Sequence, residues 1–175
     1  MSDRTKIWIA DIMKRLMKSK SIDKIRITQI CSEAEIERST FYYHFKDKYD
    51  LVAWIFFHDA FVTDVISVES AAESMNRMRK DYLFYKRAYE DNSQNPLWQY
   101  MLEYFDNRYC QEAMRLLHAD SLDTQTKYSI RLYCYGAVGM TREWLLTDNI
   151  APSETVVEMM FQSMPERLRN IFFRA

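Results

Sequence analysis

The stretch Thr28-Gln29-Ile30-Cys31-Ser32-Glu33-Ala34-Glu35-Ile36-Glu37-Arg38-Ser39-Thr40-Phe41-Tyr42-Tyr43-His44-Phe45-Lys46-Asp47-Lys48 carries the pattern on which the fold turns. It reads as two short helices joined by a tight turn. Thr28 suits an N-cap, because its hydroxyl can accept from a free backbone N–H of the first turn. Ile30, Cys31 and Ala34 give the first helix a small apolar inner face, and Glu35-Ile36-Glu37 interrupts it. A second helix is predicted from Arg38 to about His44. Arg38, Ser39, Thr40, Tyr42, Tyr43 and His44 crowd polar atoms into it, while Ile36, Phe41 and Phe45 can anchor it from behind. The DNA major groove admits one α-helix, and side chains of this kind read it. Arg38 can donate to guanine or phosphate, Thr40 can touch a thymine methyl or a phosphate, and tyrosine hydroxyls can reach backbone oxygens. Lys48, opening the next helix, brings a cation and free N–H groups towards the same phosphates.

Working outward, residues 4–19 predict a helix, with Ile9, Ala10, Met13, Leu16 and Met17 at helical spacing. Ile22, Ile25 and Ile27 anchor the connection that follows. Asp47 caps the next helix, and Asp50 approximates a capping box with it. The apolar stripe Leu51, Trp54, Ile55, His58 and Phe61 or Val62 carries that helix to about Ile66. Residues 67–76 read as a loop or frayed helix ends, and from Arg77 to Asp91 the aromatics Tyr82, Phe84, Tyr85 and Tyr89 dominate. Asn92 to Pro96 is a break, with Pro96 suited to the first turn of a long helix from Leu97 to about Ala119. Further breaks at Asp120–Asp123 and Thr147–Pro152 delimit a helix over Thr124–Leu146. Ser153 is expected to cap a last helix running towards Phe173 and kinked at Pro165.

Composition agrees with long helices and few turns. Only 2 Gly and 3 Pro occur in 175 residues, which argues against a turn-rich β fold. A hydrophobic content of 48% is enough for a core and excludes extended disorder. Residues 1–50 hold 11 Lys and Arg against 8 Asp and Glu, a net +3. The remainder holds 13 against 17, a net −4, so the positive excess lies in the N-terminal third, a weak hint of a polyanion partner there. Cys31, Cys110 and Cys134 are widely spaced and form no C-x-x-C pair, which leaves neither a disulfide framework nor a zinc knuckle. No signal-like start and no apolar run of about 18 residues is visible, so a cytoplasmic protein without a membrane partner is expected. No Gly-rich phosphate loop or nucleophile motif is present, and no cofactor is expected.

The quoted stretch, with its run Thr40-Phe41-Tyr42-Tyr43-His44-Phe45 followed by Lys48 and Leu51, resembles the DNA-binding domain of TetR-family regulators over about residues 5–62. The resemblance implies an all-α subunit. Its N-terminal three-helix, helix-turn-helix DNA-binding domain would be residues 1–45. Its C-terminal helical dimerisation and effector domain would be residues 46–175. It implies a homodimer on a palindromic double-stranded DNA operator, most often a repressor, with a small-molecule effector. By that likeness Thr28, Tyr42 and Lys48 become phosphate contacts, and Arg38, Ser39, Thr40, Tyr43 and His44 the groove-facing set. Asp47-Lys48-Tyr49-Asp50-Leu51 with Trp54-Ile55-Phe56, and Tyr135-Gly136-Ala137-Val138-Gly139 with Trp144-Leu145, resemble a branch that includes regulators of dihydroxyacetone kinase operons. Glu35 departs from the glycine usual in the turn, and Glu37 from the usual Ser or Asn cap.

In the C-terminal part, Trp98, Tyr104, Tyr128, Arg131 and Tyr133 are candidates for an effector pocket, although aromatics at helical spacing more often fill a core. Met140, Trp144, Val156, Val157, Met160, Phe161, Met164 and Leu168 offer an apolar surface for a second copy. Two rival readings stand beside DNA binding. One is a helical interaction module acting through a partner regulator. The other is a metal-dependent helical hydrolase, suggested by the dipeptide His58-Asp59. No further His or Asp stands at a spacing that completes such a metal site, so an enzyme is not expected.

Overall fold

The structure, a computed structural model, describes residues 2–61, 63, 65–90, 96–147 and 151–173. Among the described residues there are ten α-helices and no strand. They form two compact units, one of Met1–Val62 with Asn76–Leu97 and one of Thr63–Met75 with Trp98–Ala175.

The first unit starts with α1 (Ser2–Met17), which buries Ile9, Ile12, Met13, Leu16 and Met17 along one face. A 3₁₀ turn (Ile22–Lys24) follows, and Ile22 and Ile25 are buried beside it, while Ile27 is only half-buried. Helix α2 (Ile27–Ala34) starts one residue earlier than expected. Arg26 holds the N-cap position in extended backbone, with no side-chain cap bond. Thr28 is therefore the second residue of the helix, exposed, and not its cap. Drawing Ile25 into the core extends the chain at Arg26 and sets the start there.

The turn after α2 has the left-handed conformation expected for it. Glu35 lies at φ 54, ψ 43, and its N–H reaches the carbonyls of Cys31 and Ser32. The Ile36 N–H donates to the Cys31 carbonyl at 3.0 Å, closing the helix end. A side chain at this conformation costs about 1 kcal/mol. Glu35→Gly is accordingly expected to raise unfolding free energy by roughly that amount. Urea denaturation checks this, and a lowered midpoint contradicts strain at the turn.

Helix α3 (Arg38–His44) begins after Glu37, whose side chain makes no cap bond. Helix α4 (Lys48–Ile55) is well capped: the Asp47 carboxylate accepts from the Tyr49 and Asp50 N–H groups at 2.8 Å each. Asp50 completes a variant of the expected box by accepting from the Lys46 N–H at 2.9 Å. The helix does not run on to Ile66. It widens into a π-helical turn (Phe56–Ala60) and gives way to extended backbone at Phe61. Val62 lies outside the described residues. The wider turn lets Ile55, Phe56 and Ala60 face the core together while Asp59 meets α1.

That meeting is polar. The Lys14 ammonium donates to Asp59 at 2.7 Å and to Asp81 at 3.2 Å, and His58 Nδ1 lies 2.7 Å from the other Asp59 oxygen. The Arg87 guanidinium on α6 (Tyr82–Glu90) donates to the Met17 carbonyl, and α6 buries Phe84, Tyr85, Ala88 and Tyr89. Burial alone would lower the Lys14 pKa, but the hydrogen bonds and charges of Asp59 and Asp81 outweigh it and raise it. Burial alone would raise the Asp59 pKa, but hydrogen bonds from Lys14 and His58 hold it below its usual value. The signs define a window. The Asp59 contribution is present above its unfolded pKa and lost as pH falls through the depressed one. The Lys14 contribution is present below its unfolded pKa and lost as pH rises through the elevated one. The latch is thus intact from about pH 4 to about pH 10. Asp59→Asn is expected to cost about 1 kcal/mol at neutral pH, the group being partly exposed. Its difference from the parent should vanish near pH 2 in a denaturation series, and a difference equal at both pH values contradicts the latch.

The segment expected to be a loop or frayed helix ends is helical, its helix starting in the second unit and ending in the first. Helix α5 (Val68–Lys80) starts from Ser67, whose hydroxyl accepts from the Ser70 N–H and whose carbonyl accepts from the Ala71 N–H, both at 3.1 Å. Ala72, Met75 and Met78 are its buried face; the Ser and Glu residues between them disguised it as a loop. The Asn92–Asn95 part of one expected break, and residues 148–150 of another, lie outside the described residues. Helix α7 (Leu97–Leu117) begins directly after Pro96 and ends at His118, which is left-handed at φ 51. Helix α8 (Thr124–Leu146) is capped by Asp123, which accepts from the Thr126 N–H at 2.8 Å. The expected kink at Pro165 is a complete break: α9 (Ser153–Gln162) and α10 (Glu166–Phe172) are separate helices, each preceded by a proline at its N-cap. Ser153 is a buried first helical residue and Pro152 the cap position. Leu102, Tyr109, Ala113, Ile130, Tyr133, Cys134, Met164 and Leu168 form the core shared by α7, α8 and α10. No described helix is long and apolar enough to cross a membrane.

Candidate nucleic-acid interface

The reading helix α3 is held from behind by a ladder of rings. Phe41 is fully buried, 5.6 Å from Tyr42 and 5.9 Å from Phe45, and Phe45 meets Trp54 edge-on at 5.8 Å. Ile36 is half-buried beside them. The Trp8 indole N–H donates to the Ala34 carbonyl at 3.0 Å, tying α1 to the end of α2. Arg15 and Gln29 both engage Glu33, at 3.1 and 3.2 Å. Burial pushes the Cys31 thiol up, leaving it a neutral core residue.

With Phe41 turned inward, the opposite face of α3 turns to solvent. Arg38 and Ser39 are exposed, Tyr42 is 48% and Tyr43 81% exposed, and Thr40 and His44 are half-buried at the edges. The Arg38 guanidinium stands 5.9 Å from the Tyr42 ring, and the Tyr43 and His44 rings meet edge-on at 5.0 Å. Thr28 is exposed near the start of α2. The structure therefore brings hydroxyls, an imidazole and a guanidinium onto one short helix, with Tyr43 largely open to solvent. Lys48 is placed differently. Its ammonium donates to the carbonyls of Ile22, Asp23 and Ile25, at 2.7, 3.1 and 3.0 Å. A cation that the sequence reading missed is Lys6 on α1, about 6 Å from the rings of Phe45 and Trp54. Its position five residues into a helix with an apolar partner face was the available signal.

The His58-Asp59 dipeptide is part of the folding latch: Asp59 is taken by Lys14, and the His58 ring is stacked on Trp54 at 4.6 Å. Both oxygens of the carboxylate already face donors.

The expected effector residues have differing surroundings. Tyr133 is buried against Tyr109 at 5.6 Å, and burial pushes its hydroxyl up to about 12. Trp98 packs on the core of the second unit. Arg131 pairs with Asp106 at 3.3 Å and lies over the Tyr135 ring, Tyr128 is exposed, and Tyr104 meets Phe105 edge-on. The residues expected to meet a second copy mostly face their own chain. Trp144, Val156, Val157, Met160, Met164 and Leu168 are buried, and only Met140 and Phe161 are half-buried. An exposed apolar face lies on α8, where Tyr128, Leu132 and Tyr135 follow i, i+4, i+7 spacing.

A trihelical head with an aromatic-backed, outward-facing second helix of a helix-turn-helix defines the class: a DNA-binding transcriptional regulator. Sequence comparison places it further. Residues 69–166 match the family model described as transcriptional regulator C-terminal region, and residues 13–55 match that of bacterial regulatory proteins, tetR family. The chain belongs to the TetR family of transcriptional regulators. No curated protein matches the chain significantly. Among solved structures, it is similar to the dihydroxyacetone kinase operon activator DhaS, with a TM-score of 0.65 at 19% identity over 96% of this chain and 98% of that one. It is also similar to a tetR-family transcriptional regulator from Streptomyces coelicolor, with a TM-score of 0.57 at 14% identity over 91% of this chain and 78% of that one. At these identities the likeness is one of fold.

Proposed function

We propose that the chain binds a palindromic operator as a homodimer and represses transcription by occupying promoter DNA. The observation that carries this reading is the outward face of α3, with Tyr43 81% exposed on a helix whose other side is locked by a fully buried Phe41. Arg38, Ser39, Thr40, Tyr43 and His44 are assigned to base edges and groove walls, and Thr28 and Tyr42 to phosphates. The assignment to DNA needs no enzyme chemistry, and the protein acts by binding.

The homodimer is assigned to α8. A monomer gains nothing by exposing Tyr128, Leu132 and Tyr135 along one helix face. Gly136 and Gly139 lie on the same helix, and a Cβ at either would meet nothing within 4 Å. Glycine inside a helix costs about 1 kcal/mol relative to alanine, so bare backbone here suits close approach of a second helix. Two-fold pairing would present two α3 helices to half-sites about one DNA turn apart.

Selection of bound duplexes from a random pool tests the reading. An enriched inverted repeat is expected, and no enrichment from any duplex overturns it. The sign of regulation is read from a reporter under the chain's own promoter. Expression that rises on deletion is repression. Expression that falls would give this chain the sign that DhaS carries in its name.

A further inference from the structure

We propose that Lys48 is a positioning residue that staples the turn between α1 and α2 to the start of α4, and that it is not a phosphate contact. The inference rests on the DNA-binding reading above, but concerns how the head is held. An ammonium has three N–H donors and no acceptor. Those of Lys48 meet the carbonyls of Ile22, Asp23 and Ile25 at 2.7, 3.1 and 3.0 Å. These carbonyls belong to the 3₁₀ turn and its cap, flanked by the buried Ile22 and Ile25 side chains. Lys48 is half-buried, and its ammonium lies 5.4 Å from the Tyr49 ring centre. To reach a phosphate it would have to abandon a complete set of acceptors beside the core.

The staple has a consequence for reading DNA. The turn at Ile22–Lys24 leads directly into α2, and α4 directly follows α3. A bond between turn and α4 therefore closes a loop around the helix-turn-helix. It fixes where α2 and α3 stand on α1 without supplying any charge to the operator.

The test uses Lys48→Met in the full chain, which keeps the stem and removes the donors. Affinity for the selected operator is measured against salt, together with amide hydrogen exchange of the free protein. A lost phosphate contact lowers the magnitude of the slope of log affinity against log salt by about 0.9. A lost staple weakens binding and leaves that slope unchanged. It should also speed exchange around Ile25 and Arg26 by about tenfold, as loss of local hydrogen bonding does. A slope reduced by about one, or exchange equal to the parent's, overturns the proposal. Should the variant fail to fold, the parent's own Lys48 ammonium is followed by ¹⁵N NMR. Slowly exchanging protons with a shift unmoved by operator support the staple, and a shift moved by operator refutes it. If the parent binds no duplex at all, the operator reading fails, while exchange and the ammonium signal of the free protein still decide the staple.

Discussion

Phe41→Ala is expected to destabilise the N-terminal unit by about 3–5 kcal/mol and to abolish operator binding. The ring is fully buried, and both Tyr42 and Phe45 lie against it within 6 Å, with Trp54 behind Phe45. Its loss removes the transfer energy of the side chain and leaves a cavity that neighbouring rings cannot fill without breaking their own contacts. Helix α3 has 7 residues and no side-chain cap, so it has no stability apart from this packing. Phe41→Leu should retain most of the volume and most of the binding. Chemical denaturation beside operator titration checks the pair. A cost for Phe41→Ala below about 1 kcal/mol would show that the ladder does not hold the helix.

Leu132→Glu is expected to leave the fold intact and to dissociate the dimer. Leu132 is 70% exposed, so a change there should alter monomer stability by no more than about 0.5 kcal/mol. In a two-fold interface through α8, the same substitution would bury an unpaired carboxylate in each copy. Leaving a buried charge without its partner costs about 3–5 kcal/mol, which is roughly a thousandfold in association. Sedimentation equilibrium reads the mass, and operator affinity should fall with it, because a single head makes half the contacts. A variant that remains dimeric at the parent's concentrations would move the interface away from this helix face.

The reading head was largely legible in the sequence because its determinants are local. Phe41 and Phe45 sit one helical turn apart, polar residues fill the positions between, and Asp47 is a cap recognisable by type. The left-handed turn at Glu35 was legible through the resemblance, which puts a glycine at that position. What was not legible depends on where flexible or repetitive side chains go. Lys48 stands after α3 where a phosphate ligand would, and nothing local shows that a four-carbon stem folds back on Ile22, Asp23 and Ile25. Helix α5 is hard to tell from a loop or frayed helix ends because Ser67 is one of several serines and its apolar face is narrow. In α9 and α10, Val156, Met160 and Leu168 have a spacing that serves an internal core as well as an interface, and all three are buried within their own chain. Tyr128, Leu132 and Tyr135 carry an i, i+4, i+7 spacing whose exposure only the folded chain reveals.

In the function proposed above, the outward face of α3 meets the DNA. That contact is tested most directly by titrating the selected operator with the parent and with Arg38→Ala, at salt from 50 to about 200 mM. The parent's affinity should fall steeply and linearly on logarithmic axes. Arg38→Ala should bind about 5- to 150-fold more weakly at every salt concentration, and with relaxed choice at one base pair, while its unfolding midpoint is unchanged. Equal affinities for the two proteins, or binding indifferent to salt, would contradict the account.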